Sequence, residues 1–167
     1  QDVRESPEVA QWSEEQNKVT FAYLELIPQR EAIRKRLTEL WDSDRYAGFR
    51  KAGGRYVYLR NNGLQNQYVL YTKNSQDAEP RVLLDPNQWS VDGTVALGEV
   101  YFSDDGKYVT YSITEAGSDW QTFRVMEVKS GNMLDEEIKW AKFTGASWTK
   151  DGRHFFYSRF DEPIEGA

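Results

Sequence analysis

The chain has 167 residues, no cysteine, a single histidine, and 27 acidic against 21 basic side chains for a formal net charge of −6. Without Cys there is no disulfide, thiolate nucleophile or thiolate-bound metal, and the negative balance argues against a general nucleic-acid or anionic-membrane surface. No apolar run reaches the ~20 residues of a membrane-spanning helix, so the sequence reads as a soluble piece long enough to bury a sizeable core.

Ser6-Pro7-Glu8 opens the first element, with Ser6 placed to cap free N–H groups and Pro7 preset for a first helical turn. Val9, Trp12, Val19, Tyr23 and Leu26 follow a helical period that polar Gln16 interrupts. Pro28 ends that helix and opens another, with Ile33, Leu37, Leu40 and Trp41 on one side and Arg30, Arg34, Lys35 and Arg36 elsewhere, the latter read as a solvated face. Residues 1–45 are thus expected to be a segment of amphipathic helices, and 42–48 a linker into the β domain of residues 46–167.

From Gly54 onward the period changes to two. Strands are expected at 55–60, 67–72, 81–84 and 95–102, separated by Asn61-Asn62-Gly63, Asn74-Ser75 and Asp92-Gly93. After Gly106 come 108–114, 120–128, 138–143 and 146–149. The phrase SDDGKYVTYS at 103–112 returns 46 positions later as TKDGRHFFYS at 149–158. Each copy is a tight turn plus a strand, with Val109, Tyr111 and Ile113 on one face, Phe155 and Tyr157 at the matching places, and Tyr108 or His154 opposite. AGGRYVYLR is a weaker third copy, with Gly54 in the turn position of Gly106 and Val57 in that of Val109. Four strands per repeat of about 40–50 residues is the pattern of β-propeller blades. The fold class expected is mainly β: about two to three four-stranded blades preceded by helices. A β-sandwich with a chance Asp-Gly repetition is the alternative.

Candidate chemistry is sparse. His154 sits at a place that the other copies give to Tyr108 and Tyr56, so it reads as a sheet-face residue, and without a Gly-x-Ser-x-Gly turn it has no nucleophile to activate. Asp135-Glu136-Glu137 could hold a metal, but adjacent acids after Gly131-Asn132 read as a solvated loop, and no His accompanies them. Gly53-Gly54 precedes a strand and offers no helix N-terminus to a phosphate. No metal site and no cofactor are expected.

The stretches GLQNQYVLY (63–71), VLLDPNQWSVDGTVAL (82–97), FSDDGKYVTY (102–111), GSDWQTFRVMEV (117–128) and KFTGASWTKDG (142–152) resemble the prolyl oligopeptidase family of serine peptidases. SPEVAQW, EEQN and RLTELWD resemble the helical segment that precedes the propeller in that family. Oligopeptidase B shares the architecture but is less similar to the GLQNQ and LDPN phrases. The resemblance implies a seven-bladed propeller capping an α/β-hydrolase domain, a helical segment packed on that domain, and cleavage of short peptides after proline. It puts the nucleophilic Ser, the Asp and the His beyond Ala167 and an Asp-Pro-Tyr-Arg-Trp-type opening before Gln1, so this piece is expected to be internal and to hold no catalytic residue. It also implies that Phe143 faces the substrate pocket and that Asp119 lies near a charged mouth. Against these stand two plain readings, Phe143 as blade core and Asp119 as a turn cap. The partners implied are proline-containing peptides, the hydrolase domain and further blades, and isolated open blades are expected to self-associate. A non-catalytic propeller module remains the other class of function, and cytoplasmic and periplasmic locations both stay open.

Overall fold

The computed structural model describes residues 6–163, and the contacts divide the chain into two compact units, 1–43 and 44–167. The outermost parts of the expected spans, residues 1–5 and 164–167, lie outside the described residues.

The first unit holds helices α1 (Pro7–Glu25) and α2 (Arg30–Trp41). Ser6 accepts the Val9 N–H at 3.4 Å through its hydroxyl, and Pro7 follows in the first turn, where its missing N–H costs nothing. Neither helix has a buried residue, and Trp12, Val19, Tyr23, Leu26, Ile33, Leu37, Leu40 and Trp41 all stand exposed.

The second unit is mainly β. Strands β1 (Arg45–Ala52), β2 (Arg55–Asn61), β3 (Val69–Lys73) and β4 (Arg81–Leu84) form one antiparallel sheet in chain order. β5 (Val95–Phe102), β6 (Tyr108–Glu115), β7 (Gln121–Glu127) and β8 (Met133–Ala141) form a second, and β9 (Ala146–Trp148) with β10 (Phe155–Tyr157) a third. Four-stranded meanders repeated in sequence are propeller blades, as expected.

The blade boundaries differ from the sequence reading by one strand. Each repeated turn joins the first and second strands of a sheet, so 95–102 begins the second blade instead of completing the first, and the expected linker at 42–48 already contains part of β1. The sequence does not mark β1 as a strand, because its register shifts between Ala47 and Arg50, which breaks the period of two. At the other edge β8 starts at Met133, and its first five residues are exposed, so Asp135, Glu136 and Glu137 lie in an edge strand and not in a loop. Charged side chains along an edge hide the apolar alternation that marks a strand.

The first two sheets pack through Leu70, Leu83 and Leu84 on one and Val109, Tyr111, Met126 and Val128 on the other, with Trp89 stacked on Tyr111 at 5.9 Å. The second sheet is covered on its other face too: Phe123 and Val125 are buried there, Tyr108 stacks on Trp148, and the Trp148 indole N–H donates to the Tyr101 carbonyl at 3.0 Å. Thr110 and Ser112 are therefore buried as fully as Val109 and Tyr111. A single core face was too simple for a sheet held between two others.

The weak third copy of the phrase is also out of register. Gly53-Gly54 is a two-residue turn with Ala52 opposite Arg55, whereas the Ser103 N–H donates to the Tyr108 carbonyl across a longer turn. A slip of one residue turns every side chain over. Val57 accordingly shares a face with Leu59 and Leu70, toward the second sheet, while Val109 faces the first.

The repeated glycines meet one another. Gly53, Gly106 and Gly152 all have positive φ, and a Cβ on Gly106 would lie 2.6 Å from the Gly53 Cα and 2.8 Å from the Ala52 carbonyl oxygen. The turns of the first two blades touch backbone to backbone, so Gly53 and Gly106 need glycine for contact as well as for conformation, whereas a Cβ on Gly152 would come only within 3.4 Å of the Asp105 carboxylate.

Candidate functional site

The motifs that carried the resemblance are mostly structural. The Gln67 N–H donates to the Asn87 side-chain oxygen at 2.9 Å, Asn87 returns a bond to the Gln67 carbonyl at 3.1 Å, and Asp85 accepts from the Asn87 N–H at 3.1 Å. The Gln67 amide then donates to the Val95 carbonyl at 2.7 Å and accepts the Leu97 N–H at 3.3 Å. GLQNQ and LDPN thus clamp the first sheet to strand β5 and leave little for a ligand.

The loops on either side of β7 and β8 supply a different arrangement. Between β6 and β7, Ser118 accepts the Trp120 N–H at 3.2 Å, so the turn is capped by Ser118 and not by Asp119. The Asp119 carboxylate instead meets the Lys142 ammonium at 3.4 Å, with the two side chains 60% and 28% exposed. Lys142 comes from the loop after β8 and lies over two rings, Trp120 at 5.2 Å and Phe143 at 5.0 Å. Trp120 is braced edge-on by Trp140 at 5.9 Å and by Phe160 at 5.7 Å, and the Phe160 N–H donates to the Trp140 carbonyl at 2.8 Å.

Phe143 lies beyond the end of β8, not within a strand, and is 79% exposed, so it is no part of the core that this chain builds by itself. Its φ is +52° and that of Trp140 is +64°. Side chains rarely occupy this region, which costs about 1–2 kcal/mol, and such outliers gather at binding sites. Phe143 and Asp119, 24 positions apart in the chain, are brought together through Lys142, which the sequence reading passed over. The one sequence signal was a lysine flanked by aromatics in KWAKF, ambiguous with an ordinary edge strand. Beside the cluster is a hollow of about 470 Å³ shared by Trp120, Trp140, Ile113 and Ser118.

Elsewhere the chemistry is plain. His154 stands exposed one residue before β10, its backbone tied to Thr149 at 2.9 Å and 3.2 Å, so it is a turn flank more than a sheet-face residue. In the turns, the Ser103 hydroxyl and the Lys107 N–H bonding to its carboxylate hold Asp105 below the usual carboxylate range, and the Thr149 hydroxyl with the Arg153 N–H does the same for Asp151. Glu137 is paired with Arg124 and lies 3.2 Å from Lys139. Among the described residues no group of three or more His, Asp or Glu side chains is placed to hold a metal ion, and no helix is long and apolar enough to cross a membrane. A cavity of about 780 Å³ lies between the second and third sheets, lined by Tyr108, Val125, Ile138, Trp148 and Phe155.

Comparison with known proteins gives a consistent picture. Residues 2–167 match the family described as prolyl oligopeptidase, N-terminal β-propeller domain. The prolyl endopeptidase of Elizabethkingia meningoseptica is 40% identical over 158 residues, covering 93% of this chain and 22% of that protein. The prolyl endopeptidase of Dictyostelium discoideum is 28% identical over 200 aligned positions, covering 96% and 26%. Among solved structures, one from a study of two prolyl endopeptidases and the role of inter-domain dynamics in their catalysis and specificity superposes with a TM-score of 0.90 at 32% identity, over 96% of this chain and 24% of that one. Prolyl oligopeptidase B of Galerina marginata, bound to a 35mer hydrolysis and macrocyclization substrate, gives 0.85 at 26% identity, over 99% and 26%. The chain spans about a quarter of the length of the relatives it matches.

Proposed function

Since the chain belongs to the prolyl oligopeptidase N-terminal β-propeller family, we propose that it is the propeller-bearing segment of a serine endopeptidase that cleaves short peptides on the carboxyl side of proline. The carrying observation is the match of residues 2–167 to this family, joined to 40% identity with a prolyl endopeptidase. The acyl-transfer machinery of Ser, His and oxyanion hole belongs to a hydrolase domain elsewhere in the parent protein, against which the helices of residues 1–45 pack. Blades of the 46–167 domain admit short peptides and exclude folded chains.

Phe143 and Asp119 are the substrate-facing residues in this reading. An aromatic ring held in the open at a costly φ is a poor packing element and a good apolar contact for a peptide. Isolated from the rest of the parent, the chain self-associates, because aromatic side chains such as Tyr46 and Phe49 stand exposed on the outer face of the first sheet.

The test is hydrolysis of matched peptides by the full-length protein, one with a single internal proline and one with alanine in its place, with products identified by mass. Cleavage after proline alone is expected. Equal cleavage of both peptides, or none of either, would overturn the reading in favour of another peptidase specificity or a non-catalytic propeller.

A further inference from the structure

We infer that Lys142 is a specificity-determining residue whose ammonium takes a carboxylate of the bound peptide in exchange for Asp119. The peptide nature of the ligand rests on the function proposed above; the anion preference rests on the geometry of the cluster itself.

The cation is sheltered and its counter-ion is not. Lys142 lies 5.2 Å from the Trp120 ring centre and 5.0 Å from that of Phe143, while its side chain is only 28% exposed. Two aromatic faces hold an ammonium in place without neutralising it. Trp120 is kept in position by Trp140 and Phe160, and the unusual backbone at Trp140 and Phe143 brackets the lysine on both sides in the chain. Among the described residues Asp119 is the one carboxylate within ion-pair distance of Lys142, and it is 60% exposed. An ion pair whose carboxylate stands open to water contributes little, so an incoming carboxylate that also brings apolar contact to Phe143 competes with Asp119 on favourable terms. Asp119 then acts as a gate that disfavours basic peptides less, and acidic peptides more, than a bare lysine would.

Equilibrium binding to the full-length protein tests this, using labelled proline-containing peptides whose post-proline bond is replaced by an uncleavable reduced one. One pair differs by Asp against Asn upstream of the proline, and another by a free against an amidated C-terminus; the pair that responds identifies which carboxylate is bound. We expect one of the acidic peptides to bind several-fold more tightly than its neutral match, Lys142→Met to bring that ratio to about one, Lys142→Arg to keep it, and Asp119→Asn to widen it. Thermal unfolding of each variant verifies that it is folded. A ratio that survives Lys142→Met in folded protein, or no charge preference in the unmodified protein, overturns the inference. Should the protein cleave no proline peptide yet keep a preference that Lys142→Met abolishes, the peptidase reading falls and this one stands.

Discussion

Phe143 and Phe123 are the same residue type in opposite circumstances, and the contrast gives two predictions. Phe123 is fully buried in β7, whereas Phe143 is open to solvent at positive φ. Phe123→Ala should cost about 3–5 kcal/mol in chemical denaturation, the range for an aromatic lost from a core. Phe143→Ala should cost less than about 1 kcal/mol, and Phe143→Gly should be about 1 kcal/mol more stable than Phe143→Ala because glycine relieves the left-handed strain. Both Phe143 variants should bind proline-containing peptide less well in the full-length protein. A Phe143→Ala variant as unstable as Phe123→Ala would return the ring to a packing role. The buried Thr110 offers a third case: its hydroxyl has no hydrogen-bond partner among the described residues. Thr110→Val should therefore raise stability by about 1 kcal/mol, since an unsatisfied buried hydroxyl is removed at constant shape.

At the scale of elements, the repeated turns are where conformation, contact and charge coincide. Gly54 and Gly106 both have positive φ, but a Cβ at Gly54 meets nothing within 4 Å while one at Gly106 strikes the backbone of Ala52 and Gly53. Gly54→Ala should cost about 1–2 kcal/mol for φ alone, and Gly106→Ala distinctly more, as read from urea midpoints. The same turns carry a pH dependence. Asp105 and Asp151 are held below the ordinary carboxylate value by the Ser103 and Thr149 hydroxyls and by the following backbone N–H groups. A carboxylate with a depressed folded pKa stabilises fully above its unfolded pKa and loses that contribution as the pH falls through the folded value. Acid unfolding should therefore include these two turns, and Asp105→Asn should lower stability at neutral pH while flattening its decline below about pH 4. An unchanged acid limb would show that the turn carboxylates do not contribute.

For the whole molecule, the sheets are unevenly covered. The second sheet is packed on both faces, while on the outer face of the first Tyr46 and Phe49 are exposed above Tyr58, with Phe49 and Tyr58 stacked at 5.0 Å. Sedimentation velocity on the isolated 167-residue chain should reveal concentration-dependent association, and Phe49→Lys should weaken it without lowering the unfolding free energy by more than about 0.5 kcal/mol, since that ring is mostly in water. A monomer across the accessible concentration range would mean that this face is tolerated by solvent.

The sequence by itself determined the two helices, most strands and the repeating unit, because caps, prolines, Asp-Gly turns and period-two alternation act within a few residues of one another. Ser6, Pro7 and Pro28 bound α1 as read, and the two strong copies of the phrase are equivalent turns. Tertiary structure alone decided where a blade begins, because strands β1 and β8 are edge strands whose bulge or charges erase the alternation, and because the partner of a strand is chosen by packing across the sheet. It alone decided the register of Val57 against Val109, which one residue of turn length reverses. It also assembled the candidate site: the family resemblance points to Phe143 and Asp119 one by one, but Trp120 and Lys142 are ordinary residues in the sequence, and only the convergence of two loops puts a carboxylate and two rings around one ammonium.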